Sequence, residues 1–377
     1  MTGRRNEGRG MTRRFAFAAM ALFPAAAMAA PTGQSMGAKI ADATVIGAGV
    51  QAVGADSFAG VKVDFPDGVT GYPDIPYQTL PGYRPLKLDL FLPPKSFAAA
   101  GPRPMIVYVH GGGWMAGGPR RSAAYTDWPK VLASLAARGY VVASVSYRFS
   151  REAPFPAAIQ DVKAGIRWLR ARAATYNIDP KRAAIWGQSA GGHLAALAGV
   201  SCNVAALEPG ARIVPGTANV ETVASTAAGS DTASDCVQAV VGWFGIYDFA
   251  AMARRTSPPP GAPPGPSADN LFLGCPAGDC TDQQRAFASP ISYVDRSDPP
   301  FLLMHGSEDH TVPEAQTEAF DAALRAAGVP VRKIVIPGAD HSWIGATPEA
   351  TRDASKLALR EAIDFIDAQI GDGSHKN

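Results

Sequence analysis

This sequence is poor in charge, in histidine and in cysteine, and each shortage excludes something. Charged residues make up 18% of 377, the formal net charge is +2, and neither a basic stripe nor an acidic run occurs. Nucleic-acid binding rests on clustered Lys and Arg facing phosphates and has no electrostatic basis here. The four cysteines contain no Cys-x-x-Cys and have no histidines at ligand spacing, so no metal site is expected. There is no internal repeat, which excludes solenoids and arrays. The apolar run near the N-terminus, Phe15 to Phe23, is too short to span a bilayer.

What is present is ample apolar material, 47% of the residues, in a globular composition able to fill a large core. The first residues read as an address. Arg13-Arg14, the Phe15–Phe23 run and an A-x-A-like site at Ala27-Met28-Ala29 have the three parts of a signal peptide, with cleavage expected after Ala29. Met11 is a second candidate start. The paired arginines raise a twin-arginine export reading, but the residues after them match it weakly, so ordinary secretion is favoured; an uncleaved anchor is the rival. Removing 1–29 takes away five arginines and one glutamate, and turns the formal charge from +2 to −2. No stable membrane insertion is expected after cleavage. An oxidising compartment suits the cysteines as disulfides. Cys275 and Cys280 bracket Pro-Ala-Gly-Asp and would close a small loop, leaving Cys202 with Cys236, although the sequence does not choose among the three connectivities.

Residues 30–66 lack periodicity and read as an irregular arm. Strands are expected at 69–79 and at Leu86–Leu92, where apolar and polar residues alternate as in an antiparallel hairpin. Met105–Val109 is a continuous apolar run, the mark of a strand buried on both faces. From there strands and helices alternate: helices near 129–138, 157–176, 313–327 and 347–370, and strands near 140–146, 183–186, 237–244, 301–304 and 331–336. Antiparallel strands followed by repeated β-α units imply a mostly parallel sheet with helices on both faces. The catalytic unit is expected to span 67–371, with insertions at 203–235 and 257–282 and a polar tail at 372–377. Ser257–Pro266 is too proline-rich for helix or central strand, and both insertions read equally as lid or plain surface loop.

Gly187-Gln188-Ser189-Ala190-Gly191 fits G-x-S-x-G between a strand and a helix, the context that makes the motif a nucleophile elbow. Upstream, His110-Gly-Gly-Gly-Trp114 follows the first buried strand. Its bare N–H groups at Gly112 and Gly113, with that of Ala190, are the expected oxyanion donors. In this arrangement the order is serine, carboxylate, histidine. Among six histidines, His110 belongs to the glycine loop and His375 to the tail. His193 comes too early and reads as packing, and His305 supports a turn. Of His310 and His341, the latter follows the last strand and a Pro337-Gly338 turn and is the expected base. Asp309, four residues past His305, is the expected orienting carboxylate, with Glu308 as the substitute. Trp114, Tyr247 and Trp343 are candidate pocket walls, or equally core packing, and Asp248 reads as structural.

The set His110–Trp114, Gly187–Gly192, His305-Gly-Ser-Glu-Asp309 with Val312-Pro313, and Gly338-Ala-Asp-His341 resembles the secreted carboxylesterase branch of the α/β-hydrolases, in particular feruloyl-esterase-like and hormone-sensitive-lipase-like enzymes. Ser289–Val294 and Asp298–Leu303 are also similar to the feruloyl-esterase-like group. The resemblance covers roughly 69–370. It implies an α/β-hydrolase fold, a small-molecule carboxylic ester as substrate, no cofactor, and catalytic roles for Ser189, Asp309 and His341. It leaves the ester and the oligomeric state open. Its departures, the 203–235 insertion, the Pro-rich 257–266 loop and the cysteine pairs, are expected to line or flank the substrate side. The alternatives are an amidase or peptidase with the same triad, and a non-catalytic hydrolase fold used for binding. The second loses force because every chemical position is filled.

Overall fold

A computed structural model describes residues 60–213, 220–222, 233–254 and 265–372. The segment read as a signal peptide, most of the expected N-terminal arm, most of the proline-rich run and His375 lie outside them. The strands are β1 (Val63–Asp64), β2 (Thr70–Gln78), β3 (Leu86–Leu92), β4 (Arg103–Val109), β5 (Val141–Val145), β6 (Ile178–Gln188), β7 (Ala211–Ile213), β8 (Val220–Thr222), β9 (Ala239–Trp243), β10 (Phe301–Gly306) and β11 (Val331–Ile336). The helices are α1 (Trp128–Ala137), α2 (Ala157–Ala171), α3 (Ala173–Tyr176), α4 (Ala190–Val200), α5 (Phe249–Ala253), α6 (Ala268–Leu273), α7 (Asp282–Ala288), α8 (Ala315–Ala327) and α9 (Pro348–Ile370).

Nine strands form one sheet in the order β1-β2-β3-β5-β4-β6-β9-β10-β11. The first three and β5 pair antiparallel, and every pairing from β5 through β4 to β11 is parallel. This is the mostly parallel sheet that the order of apolar runs implies, and the α/β-hydrolase fold that the resemblance implies. β4, β5, β6 and β9 lie centrally, and the apolar side chains along them are buried on both faces, as parallel strands covered by crossover helices must be. On one face α2 buries Ile159, Val162, Ile166 and Leu169 in a stripe at helical spacing, together with α4 and α8. On the other, α1 and α9 contribute Leu132, Ala358, Ala362 and Ile366. Full burial of each large aliphatic side chain contributes about 1.5–3 kcal/mol, and these two layers hold the sheet rigid beneath its loops.

Three differences from the sequence reading have physical causes. Val63 and Asp64, within the segment read as irregular, pair with β2, a two-residue strand too short to leave a periodic signal. The β9–β10 connection contains the short helices α5, α6 and α7, each opened by a side-chain cap from Asp248, Ser267 or Thr281. Helices of five to seven residues carry almost no hydrophobic period and are set by caps and tertiary contacts. The third concerns the stems of the 203–235 insertion, for which the sequence suggests the substrate side. It joins the C-terminal end of α4 to the start of β9, so its described stems emerge at the end of the parallel sheet opposite to Ser189. A chain leaving the far end of a crossover helix has no other place to re-enter the sheet.

That insertion is tied down where it begins and ends. Cys202 pairs with Cys236 and Cys275 with Cys280, with Cα atoms 5.0 and 5.2 Å apart. Beneath the first pair, the buried Lys163 Nζ donates to the Ser201 carbonyl at 2.6 Å and contacts Glu208 at 3.0 Å and Asp235 at 3.3 Å. Arg167 bridges the same two carboxylates. Burial lowers the Lys163 pKa, and the Asp235 carboxylate opposes that; an unpaired ammonium here would be costly.

Candidate active site

Ser189 stands at the sharp turn between β6 and α4 with φ 52° and ψ −122°, a left-handed conformation that an L-residue adopts only when its surroundings enforce it. The glycines around it allow the turn. A Cβ on Gly187 would lie 2.0 Å from the Gly191 carbonyl oxygen, and one on Gly191 would lie 2.1 Å from that of Val109. The helix therefore starts pressed against β4, and its first N–H groups, which have no partner within a helix, face the serine.

His341 and Asp309 arrive from the loops after the neighbouring strands β11 and β10. His341 Nε2 lies 3.0 Å from Ser189 Oγ, and His341 Nδ1 lies 2.8 Å from Asp309 Oδ2. Because a carboxylate only accepts, Nδ1 carries the proton and the Nε2 lone pair is directed at the serine hydroxyl. The Asp309 side chain is fully buried. Burial would push its carboxyl up, but contacts from His305 and His341 and the backbone N–H of Val312 outweigh it and hold the group well below the usual carboxylate range. Its other oxygen accepts from the N–H groups of Thr311 at 2.9 Å and Val312 at 2.8 Å. Glu308, the substitute carboxylate, is exposed and approaches Ser307 rather than His341.

The glycine loop lies beside the serine. Gly111 packs on the elbow, where an added Cβ would sit 3.0 Å from the Gln188 carbonyl and 3.3 Å from Ser189 Cβ. Gly112 has φ 119° and its carbonyl accepts from the N–H groups of Met115 and Ala116, which closes the turn after it. The N–H groups of Gly112 and Gly113 meet no acceptor among the described residues. Gln188 fixes the outer limb of this loop by accepting from the Ala123 N–H at 2.7 Å.

The remaining histidines have structural partners. His193 Nε2 donates to the Ala288 carbonyl at 2.8 Å while Nδ1 accepts from Trp114 Nε1 at 3.2 Å. His110 stacks on Tyr147 at 4.5 Å. Burial lowers both imidazoles to about 4, so both are neutral. His305 places Nε2 2.8 Å from the Val312 carbonyl and 3.3 Å from Asp309, with Thr317 on Nδ1. It braces the turn that carries Asp309. Asp248 caps α5, a structural role.

The aromatic candidates require a correction. Trp114, Tyr247 and Trp343 have at most 1% of their surface accessible, and none presents a face to a substrate. Trp114 stacks on Phe272 of α6 at 4.4 Å, Tyr247 on Phe320 of α8 at 4.5 Å, and Trp343 meets Phe244 at 4.7 Å. Proximity to motifs in sequence does not tell which way a ring turns. Two neighbours of the site escape sequence reasoning for the same reason. Phe244, at φ 37°, sets its ring 4.6 Å from that of His341. Ala268 at the start of α6 flanks Gly113, whose added Cβ would lie 3.5 Å away.

The likenesses to known proteins agree with this architecture. Esterase LipQ of Mycobacterium tuberculosis is 34% identical over 300 residues, covering 79% of this chain and 62% of that protein. Esterase LipC of the same organism is 35% identical over 266 residues, covering 69% and 59%. The chain thus spans less than two thirds of the length of these curated relatives. A truncated form of a carbohydrate esterase from gut microbiota superposes with a TM-score of 0.63 at 27% identity, over 82% of this chain and 99% of that one. The profile described as BD-FAE matches residues 88–324, from β3 through the elbow and the Asp309 loop into α8. With that match spanning more than half of the sequence and the sheet order that goes with it, the chain belongs to the BD-FAE family of α/β-hydrolases.

Proposed function

We propose that this protein is an exported serine carboxylesterase that hydrolyses a small or aromatic carboxylic ester through Ser189, His341 and Asp309. The carrying observation is the unbroken line Ser189 Oγ–His341 Nε2–His341 Nδ1–Asp309 Oδ2, at 3.0 and 2.8 Å, beside two backbone N–H groups that meet no acceptor among the described residues. The names of LipQ, LipC and the carbohydrate esterase add support for ester chemistry. The aromatic part of the reading rests on the resemblance to feruloyl-esterase-like enzymes, since the three buried aromatics no longer argue for it. Export is supported by the signal-like segment ending at Ala29 and by two disulfides. The catalytic unit is 67–371, with the described part of the second insertion, 265–282, on the side of the site.

Chemistry follows from the geometry. Ser189 Oγ attacks the ester carbonyl while its proton passes to His341 Nε2. Asp309 stabilises the resulting imidazolium, and the N–H groups of Gly112, Gly113 and Ala190 receive the oxyanion. His341 then returns the proton to the departing alkoxide, leaving an acyl-serine. Water gives its proton to His341 as it attacks, and the acid leaves with Ser189 restored.

The test is hydrolysis of p-nitrophenyl acetate, butyrate and octanoate beside methyl ferulate, by wild type and Ser189→Ala. The expected result is turnover by wild type and a loss of about 10⁴-fold or more in kcat in the variant. The substrate ranking separates short-chain from hydroxycinnamoyl preference. A folded, disulfide-intact wild type that turns over no ester would overturn the reading.

A further inference from the structure

Two consecutive Asp-His pairs face each other across the site, Asp309-His310 after β10 and Asp340-His341 after β11, and each aspartate grips the histidine of the other loop. Asp309 Oδ2 meets His341 Nδ1 at 2.8 Å. Asp340 Oδ2 meets His310 Nδ1 at 3.2 Å, and Asp340 Oδ1 accepts from the backbone N–H groups of both His310, at 2.9 Å, and His341, at 2.6 Å. A single carboxylate oxygen thus joins the residue after the orienting acid to the base itself.

Other contacts bring the same two loops together. The Glu308 N–H donates to the Ala339 carbonyl at 3.0 Å, Gly338 donates to Ser307 Oγ at 2.9 Å, and Gly306 leaves no room for a Cβ against Ala339. These hold the loops at their stems; Asp340 holds them at their tips, where Asp309 and His341 must stay in register. Burial raises the Asp340 pKa and the N–H groups of His310 and His341 outweigh it, so the net shift is downward. The ion pair itself, with His310 62% and Asp340 42% exposed, is worth little in water. The two backbone bonds to a charged acceptor are stronger.

We propose that Asp340 is a positioning residue for the proposed reaction: it locks the acid loop to the base loop and so fixes the Asp309–His341–Ser189 line. This rests on the esterase reading above. A shift of His341 by about 1 Å can cost on the order of 10²-fold in rate, whereas substrate binding need not change.

The test compares Asp340→Ala with Asp340→Asn, which keeps an acceptor oxygen for both N–H groups. Expected for Asp340→Ala is a fall of about 10–10²-fold in kcat with little change in KM, with slower labelling of Ser189 by a fluorophosphonate and only a small fall in melting temperature. Asp340→Asn should recover most of the loss. The inference is overturned if Asp340→Ala keeps the wild-type kcat and labelling rate, or if both variants lose rate in proportion to lost stability. Should Asp340→Ala fail to fold, amide hydrogen exchange on the wild type decides: protected His310 and His341 N–H groups support the lock, and rapid exchange at both overturns it. A wild type that neither hydrolyses esters nor reacts with the phosphonate marks failure of the esterase reading instead.

Discussion

Asp309 and Glu308 are adjacent in sequence and differ by one methylene, yet only one enters the line to Ser189. Asp309 is buried, faces two imidazoles and accepts two backbone N–H groups; Glu308 points outward. The consequence is asymmetric. Asp309→Asn keeps the shape but loses the acceptor that fixes the His341 tautomer, and kcat should fall by about 10⁴-fold. Glu308→Gln should leave kcat at the wild-type value. Steady-state kinetics of the two variants on one p-nitrophenyl ester checks this, and a larger effect at Glu308 would reverse the assignment.

At the scale of elements, the sheet separates chemistry from anchorage. Its C-terminal edge carries Ser189, Asp309 and His341, while the Cys202–Cys236 disulfide and the Lys163–Arg167–Glu208–Asp235 cluster sit where α4 returns to β9. The disulfide closes a separation of 34 residues, for which chain entropy gives roughly 3–4 kcal/mol of stabilisation. The double variant Cys202→Ser, Cys236→Ser should therefore unfold at lower urea while its folded form keeps wild-type kcat. A loss of kcat in the fully folded double variant would mean that the insertion acts on the substrate side after all. By contrast α6 touches the glycine loop through Ala268 and Phe272, so among the described residues the β9–β10 connection flanks the site.

For the whole molecule, buried titratable groups set the response to acid. His110 and His193 are lowered to about 4 by burial, against about 6.5 in an unfolded chain. Neutral in the fold and free to charge when unfolded, they contribute stability that is present above pH of about 6.5 and is lost as pH falls toward their folded values. By pH 5 the loss is on the order of 2 kcal/mol for each. Asp298 opposes this: burial raises its carboxyl to about 6, so its contribution is full at low pH and lost as pH rises through that value. One half-buried carboxyl offsets only part of two buried imidazoles. Urea midpoints should therefore fall between pH 7.5 and pH 5; an unchanged or higher midpoint at pH 5 would show that these imidazoles are not held neutral.

Much of this molecule was written locally. The continuous apolar runs of β4 and β10 gave buried strands, the stripe of α2 gave its packed face, and Gly187 with Gly191 announced a turn that no larger residue can make. Chain order after the elbow singled out Asp309 and His341, because β-α winding brings successive loops to one edge of the sheet. Side-chain direction was not written there. Trp114, Tyr247 and Trp343 turned inward, Phe244 came to lie against His341, and Asp340 reached across to the backbone of His310. These contacts join residues from different loops, and their geometry depends on neighbouring strands being in register. Where the stems of the 203–235 insertion leave the sheet also waited for the fold, since a loop acquires a side of the sheet only once the strands beside it have been ordered.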